Sequence, residues 1–276
     1  MGSAGERQIS SFRFDTHHGG RLAQLKIGEF ELLFSPPEKD RVPTSWGAYP
    51  MVPWAGRIAD GKFSFDGRIE EMPINFGDHA IHGTAFTSEW TQLAENHLVL
   101  DLDPPWPFGG TVSHRIALTD NGATGSVVLE LSVLAAASAM PVMVGWHPWF
   151  KRRLTSAGPA GQLSWANFER TEMYELDNRM IPTGRLITPP PPGPWDHAFR
   201  SISQPLTIAW KDQLQLQLRS SCDHWVIYDE REYAFCVEPQ SGPPDIFNPK
   251  RFDRHLDAIG PGEQFTHTFT IDWELQ

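Results

Sequence analysis

The sequence of 276 residues has few cysteines, no long apolar run and no excess of positive charge. Its two cysteines, Cys222 and Cys236, are too few for a disulfide framework, so two reduced thiols are expected. No apolar run approaches the roughly 20 residues that cross a bilayer, and no early stretch resembles a secretory signal. The formal net charge of −11 disfavours nucleic acid and anionic membranes as partners. These absences predict a cytoplasmic protein.

Helical periodicity is also missing. Apolar and polar residues instead alternate in short runs such as "GSVVLELSVLA", "LQLQLRSS" and "FTHTFTIDWEL", which is the pattern of strands with one buried face. Asp66-Gly67 and the "TDNGATG" loop at 119–125 are typical of tight hairpins. The pattern predicts an all-β fold, a large antiparallel β-sandwich formed by residues 1–276 as one domain. The proline-rich stretch at 188–195 is interpreted as a loop rather than a linker.

One histidine lies inside an aromatic run, "GWHPWF". In a strand, Gly145 shares the face of His147, which predicts a hollow beside the imidazole. Aromatic neighbours are typical of a platform that stacks on the apolar face of a sugar ring. The run therefore indicates a titratable group at a sugar site.

A second strand, "YAFCVEPQ", ends in a carboxylate. Alternation places Ala234, Cys236 and Glu238 on one face, so Glu238 follows two small residues. Charged groups normally lie outside, and Glu238 is either a solvated surface residue or a ligand group.

Two loop segments carry further candidates. Arg57 precedes a strand-turn-strand signal, where its guanidinium could bind hydroxyl or carboxylate oxygens, unless it is a plain surface arginine. His79 and His82 lie three residues apart, and Gly83 allows close backbone approach beside His82. With no third ligand nearby and no helix, this pair does not predict a metal site.

Together these segments resemble the aldose 1-epimerase, or galactose mutarotase, family. The matching segments, in family order, are Gly56-Arg57-Ile58, His82-Gly83, His147-Pro148-Trp149-Phe150, Asp196-His197-Ala198-Phe199, Glu238-Pro239 with Phe247-Asn248, and "LDAIGPGE". They extend from about residue 12 to 274, nearly the whole chain. No single match is specific, but their ordered combination is.

The resemblance implies an antiparallel supersandwich and an isomerase that interconverts the α and β anomers of an aldose. Glu238 would be the base that takes the C1 hydroxyl proton, and His147 the acid that protonates the ring oxygen. The substrate-binding residues would be His82, Arg57, Asp196 and Trp149. Such a reaction needs a small-molecule sugar and neither a metal nor an organic cofactor.

The chain also departs from the family pattern. Gly56 stands in place of the usual asparagine, Thr84 in place of a second glycine, and Trp149 in place of tyrosine. The basic run "KRRL" at 151–154 is either a solvated loop or a phosphate site, in which Lys151, Arg152 and Arg153 would bind a hexose 6-phosphate.

Three functions thus compete with a simple mutarotase. They are a hexose-6-phosphate 1-epimerase, a non-catalytic sugar-binding protein on the same fold, and a glycoside-cleaving enzyme that would use Glu238 and Asp196 as its two carboxylates. The pairing of an acid with a base argues against binding alone. The identity of the sugar and the oligomeric state do not follow from the sequence.

Overall fold

The computed structural model describes residues 9–164, 171–200 and 202–276. Its strands, in chain order, are β1 (Ser11–Asp15), β2 (Arg21–Ile27), β3 (Phe30–Glu31), β4 (Ala48–Met51), β5 (Arg57–Ile58), β6 (Lys62–Phe65), β7 (Arg68–Glu71), β8 (Ala80–Ile81), β9 (Thr91–Ala94), β10 (His97–Asp101), β11 (Thr111–Asp120), β12 (Thr124–Leu134), β13 (Met140–Pro141), β14 (Gly145–Lys151), β15 (Gln162–Ser164), β16 (Glu172–Leu176), β17 (Pro182–Ile187), β18 (Asp196–Arg200), β19 (Leu206–Trp210), β20 (Leu214–Ser220), β21 (His224–Tyr228), β22 (Ala234–Gln240), β23 (Ala258–Ile259) and β24 (Gln264–Leu275). Short 3₁₀ turns occupy Glu38–Asp40, Ala59–Gly61, Ala85–Thr87 and Pro249–Arg251. Within these ranges, no helix has the length and apolar character to span a bilayer.

Two large antiparallel sheets make up most of the fold. The ten-stranded sheet runs β1-β2-β4-β14-β22-β21-β18-β16-β17, with β3 paired to β2, and the eight-stranded sheet runs β15-β19-β20-β24-β12-β11-β10-β9. Three short pairs, β5 with β8, β6 with β7 and β13 with β23, complete the strands. The predicted all-β antiparallel sandwich is confirmed.

The two large sheets pack on each other through one apolar core. Trp146 of β14 donates a hydrogen bond from its indole to His114 of β11 in the opposite sheet, over 3.2 Å. Trp225 of β21 and Phe269 of β24 lie with their rings 6.1 Å apart, edge to face. Burying such large aromatic side chains on alternate strand positions supplies much of the apolar contact between the sheets.

Both predicted hairpins are present in the structure. Asp66 and Gly67 join β6 to β7 with φ of 49° and 74°, the pair of positive values that a type I′ hairpin requires. Asp120 and Thr124 bound the next predicted hairpin, in which the Asp120 carboxylate accepts a hydrogen bond from the Gly122 amide over 2.7 Å.

The site is carried by the face of the ten-stranded sheet that points away from the core. Because side chains alternate along a strand, Trp146 lies on the core side of β14 and His147 on the opposite side. The loops around β5 and β8 close over this outer face, so that a cleft forms above β14, β22 and β18.

Candidate active site

His147 and Glu238 face each other across two neighbouring strands. Gly145 pairs with Gln240 and Trp149 with Cys236, and this register sets His147 opposite Glu238. The imidazole Nε2 lies 3.2 Å from the carboxyl Oε1. Their side chains are 8% and 2% exposed, so the pair is a buried acid–base contact at the floor of the cleft.

Burial decides the protonation of this pair, because a low-dielectric site disfavours charge. It raises the pKa of the Glu238 carboxyl well above its usual value, and the nearby Asp196 carboxylate raises it further. Burial also lowers the pKa of His147 to about 3, and Arg21 contributes in the same direction. Burial thus favours the neutral forms of both groups, a carboxylic acid on Glu238 and a neutral imidazole on His147.

The aromatic neighbours of His147 fix its ring. Tyr49, opposite His147 in β4, stacks on the imidazole with centroids 4.7 Å apart, and Trp149 stacks on it at 5.4 Å. The Trp149 indole N–H donates to the Thr44 carbonyl oxygen over 2.9 Å. Trp146 lies on the core side, so the aromatic run does not form a sugar platform as a whole. The stacked rings of Tyr49 and Trp149 instead hold the His147 imidazole in one orientation.

The hollow predicted beside Gly145 is filled. A Cβ on Gly145 would lie 2.6 Å from the Pro239 carbonyl oxygen, 3.0 Å from Met51 Cε and 3.1 Å from Gln240 Cγ. The Gln240 amide in turn donates to the second carboxyl oxygen of Glu238 over 3.1 Å. The prediction of open space was wrong, because Gly145 provides room for the glutamine that orients Glu238.

His82 is held as a hydrogen-bond donor toward the cleft. Its backbone has φ of 63°, an uncommon conformation for a residue with a side chain, and the Gly56 amide donates to its Nδ1 over 3.3 Å. Burial and the adjacent His147 lower the pKa of His82 well below its usual value, so the ring is neutral. A neutral ring that accepts at Nδ1 carries its proton on Nε2, and His82 lines the cleft. A Cβ at position 83 would lie 1.8 Å from the Val52 carbonyl oxygen, so the backbone has room only for glycine there.

Arg57 and Asp196 form the polar wall of the cleft. Arg57 pairs with Ile81 between β5 and β8, and its guanidinium lies 3.6 Å from the carboxylate of Asp196 on β18. All six residues predicted from the sequence line a single cleft of about 330 Å³: Arg57, His82, His147, Trp149, Asp196 and Glu238. They come from five different strands or loops, and the fold brings them together.

Sequence reasoning missed several residues of the cleft, among them Phe76, Tyr228, Glu230 and Arg231. Phe76 is 44% exposed and packs beside the Arg57 guanidinium, which lies 5.5 Å from its ring centroid. No motif marks these positions. Gln240, also in the cleft, could have been found, because it lies two residues after Glu238 and must share its face.

The basic run after β14 has other partners. Arg152 forms an ion pair with Asp229 and donates from Nε to the Arg231 carbonyl oxygen over 2.8 Å. Arg153 donates to the Gly158 carbonyl oxygen. Neither side chain is among the described residues that line the cleft. The structure does not support the hypothesis that Arg152 and Arg153 bind a sugar phosphate there.

The fold and the site define a class of protein, an antiparallel supersandwich with a buried His–Glu pair beneath a polar cleft. The family model for aldose 1-epimerase matches residues 16–272, and the chain belongs to that family. Among curated proteins it is similar to the uncharacterized protein YphB of Escherichia coli K12, 26% identical over 285 residues, which covers 95% of this chain and 97% of that one.

Solved structures show the same fold. A galactose mutarotase-like protein from Clostridium acetobutylicum superposes with a TM-score of 0.78 at 17% identity, covering 97% of this chain and 93% of that one. A galactose 1-epimerase from Lactobacillus acidophilus NCFM gives a TM-score of 0.72 at 16% identity, over 100% and 93% of the two chains. At such identities the likeness concerns the fold.

Proposed function

We propose that this protein is an aldose 1-epimerase that interconverts α and β anomers by acid–base ring opening and closure. The observation that carries the proposal is the 3.2 Å contact between His147 Nε2 and Glu238 Oε1 at the floor of the cleft. An acid and a base held this close are suited to two proton transfers on one hemiacetal. Family membership gives the reaction class in support.

The chemistry balances with these two groups alone. Glu238 takes the proton of the C1 hydroxyl, the bond between C1 and the ring oxygen breaks, and His147 gives a proton to the ring oxygen. The C1 hydroxyl becomes a carbonyl, rotation about C1–C2 exposes its other face, and the reverse transfers close the ring. Both reacting oxygens are bonded to the same carbon, so two side-chain atoms 3.2 Å apart can reach them together.

Proton transfer between Glu238 and His147 would produce the protonation state that the reaction needs. Transfer of one proton from Glu238 to His147 would give the carboxylate base and the imidazolium acid without any change in net charge. The Arg57 guanidinium favours the carboxylate form. Sugar hydroxyls bound in the cleft would replace water as hydrogen-bond partners for both charges.

The other predicted residues would bind the sugar. His82 would donate from Nε2 to a ring or hydroxyl oxygen, Arg57 would donate to hydroxyl oxygens, and Asp196 would accept from a hydroxyl. Trp149 stacks one face of its indole on His147, and the rest of its ring would contact the sugar in the cleft. We also propose that residues 1–276 act as one domain, because the two large sheets share a single core.

Polarimetry tests the proposal. Freshly dissolved pure anomers of several aldoses, with and without a 6-phosphate, should reach their equilibrium rotation faster with the protein than with buffer. Product analysis of glycosides should show no bond cleavage. Cleavage would point to a glycoside hydrolase, and tight binding without faster mutarotation would point to a sugar-binding protein.

A further inference from the structure

A third donor lies beside the proposed catalytic pair. Cys236 precedes Glu238 by two residues in β22 and therefore shares its face of the sheet. The donor atoms of His147, Cys236 and Glu238 all lie within 4.8 Å of one another. Thiolate, imidazole and carboxylate are the ligand types that Zn²⁺ uses in proteins. The two strands that carry them are far apart in sequence, so ligand spacing could not reveal the set.

The geometry is close to that of a zinc site. Three atoms no more than 4.8 Å apart lie within about 2.8 Å of one common point, against Zn–ligand bonds of about 2.0–2.3 Å. Small side-chain rotations would close the difference without moving either strand. The fourth position of a tetrahedral ion would face the cleft, which His147 and Glu238 line.

The charges also suit a buried dication. A thiolate from Cys236 and a carboxylate from Glu238 together neutralise Zn²⁺, so the site would carry no net charge into the protein interior. Gln240 already binds the second carboxyl oxygen of Glu238, the kind of outer partner that orients a ligating carboxylate. Trp149 and Tyr228 flank Cys236 on the neighbouring strands, so an ion would enter from the cleft, past His147 and Glu238.

We propose that His147, Cys236 and Glu238 form a Zn²⁺ site and that Zn²⁺ bound there inhibits the protein. The ion would occupy the lone pairs that the acid–base pair needs for proton transfer. The metal site itself follows from the three donors, whereas the inhibition rests on the proposed function. The metal is an inhibitor in this proposal, and the chelator-treated protein should keep its activity.

Binding is tested first, without any activity measurement. Chelator-treated full-length protein is titrated with Zn²⁺ against a competing chromophoric chelator, and one ion per chain is expected. Cys236→Ser should bind at least about tenfold more weakly, since even the loss of an outer-shell partner costs about 10- to 100-fold. Cys222→Ser is the matched control, because Cys222 is also a buried free thiol but belongs to no such cluster among the described residues. Equal affinity in Cys236→Ser and wild type would overturn the inference.

Two further measurements locate the bound ion. His17 and His18 lie near Glu89 and Asp15 on the surface, and the double variant His17→Ala/His18→Ala should bind Zn²⁺ as the wild type does. A loss of binding in this variant would place the ion on the surface and overturn the inference. Co²⁺ bound to the wild type should show a sulfur-to-cobalt charge-transfer band that Cys236→Ala lacks. Absence of the band from the wild type would also overturn it, even if the buried variants fail to fold.

Inhibition separates the two proposals. Zn²⁺ should slow mutarotation by the wild type at the concentrations at which it binds, and Cys222→Ser should behave the same way. Binding at Cys236 without inhibition would keep the metal site and contradict the catalytic assignment of His147 and Glu238. Mutarotation with no zinc binding at this cluster would keep the proposed function and overturn the metal site.

Discussion

Two buried histidines, His114 and His147, lie on opposite sides of β14 and have different surroundings. His114 has both ring nitrogens engaged: Nε2 accepts from the Trp146 indole and Nδ1 donates to the Gly20 carbonyl oxygen, each over 3.2 Å. His147 faces Glu238 with Nε2, and none of the described residues bonds to its Nδ1. Burial lowers the pKa of both, to about 4 and about 3.

Burial and a lowered pKa therefore do not distinguish a structural histidine, His114, from the proposed catalytic one, His147. The difference lies in hydrogen-bonding capacity and access. His114 is fully satisfied inside the core, and its tautomer is fixed by its two partners. His147 borders an open cleft, and its Nε2 lies 3.2 Å from a carboxyl oxygen of Glu238. Four predictions test this contrast, beginning with the largest effect.

Glu238→Gln should lower kcat by about 10²- to 10⁴-fold with little change in KM, because it removes the base while keeping size and hydrogen bonds. His114→Asn, which alters the other buried histidine, should keep kcat near the wild-type value in its folded fraction. Polarimetry measures both, with thermal melts as the folding control. A folded Glu238→Gln with near-wild-type kcat on the true substrate would contradict the assignment.

His147→Asn should lower kcat by a similar factor of about 10²- to 10⁴-fold. The double variant with Glu238→Gln should lose much less than the product of the two single losses, because the two groups act as one unit. The four proteins are compared in one kinetic series. Multiplicative losses would mean that the two side chains act independently, against the single-site mechanism.

His114→Ala should mainly reduce stability. It leaves the Trp146 N–H and the Gly20 carbonyl without partners in the core, at a cost of about 1–3 kcal/mol for each. The His147→Ala change exposes fewer unpaired groups and should cost less. Denaturant unfolding of the two variants measures the difference in their free energies of unfolding. A larger loss of stability in His147→Ala than in His114→Ala would contradict this prediction.

The smallest effect expected is the pH dependence of stability at Glu238. Its pKa is raised in the folded protein, so its contribution to stability is complete below the ordinary pKa of 4.5 and is lost as the pH rises through the raised value. Glu238→Gln cannot ionise and should therefore gain stability relative to the wild type as the pH rises from 5 to 7. Melting curves of both proteins across this range test the sign; a gap that widens toward low pH would contradict it.

Strand alternation made much of the fold predictable. The hairpin at Asp66-Gly67 and the shared face of Cys236 and Glu238 both depend on residues close in sequence, where geometry follows from period and turn chemistry. The placement of His147 opposite Glu238 depends on register between strands about 90 residues apart. Only the resemblance to a family suggested that the two residues meet.

Other features had no local signal. The positive φ of His82 and the filling of the space beside Gly145 by Gln240 and Met51 are set by packing across strands. The partner of Arg152, Asp229, lies on a different part of the chain, so sequence could not show that the basic run is already bound. A charged side chain in a loop indicates a ligand site only when no other residue of the protein already forms an ion pair with it.

The two halves of the cleft also differ in how their strands are supported. His147 and Glu238 lie on β14 and β22, which have hydrogen-bonded neighbours on both sides within the ten-stranded sheet, whereas Arg57 lies on the isolated pair of β5 and β8. Amide hydrogens in such central strands commonly exchange only on global unfolding, and those of short ribbons exchange by local opening. If Arg57 and His82 bind the sugar as proposed, sugar binding should slow hydrogen exchange mainly around these two residues, and local fluctuation of this loop would then serve as a readout of ligand binding.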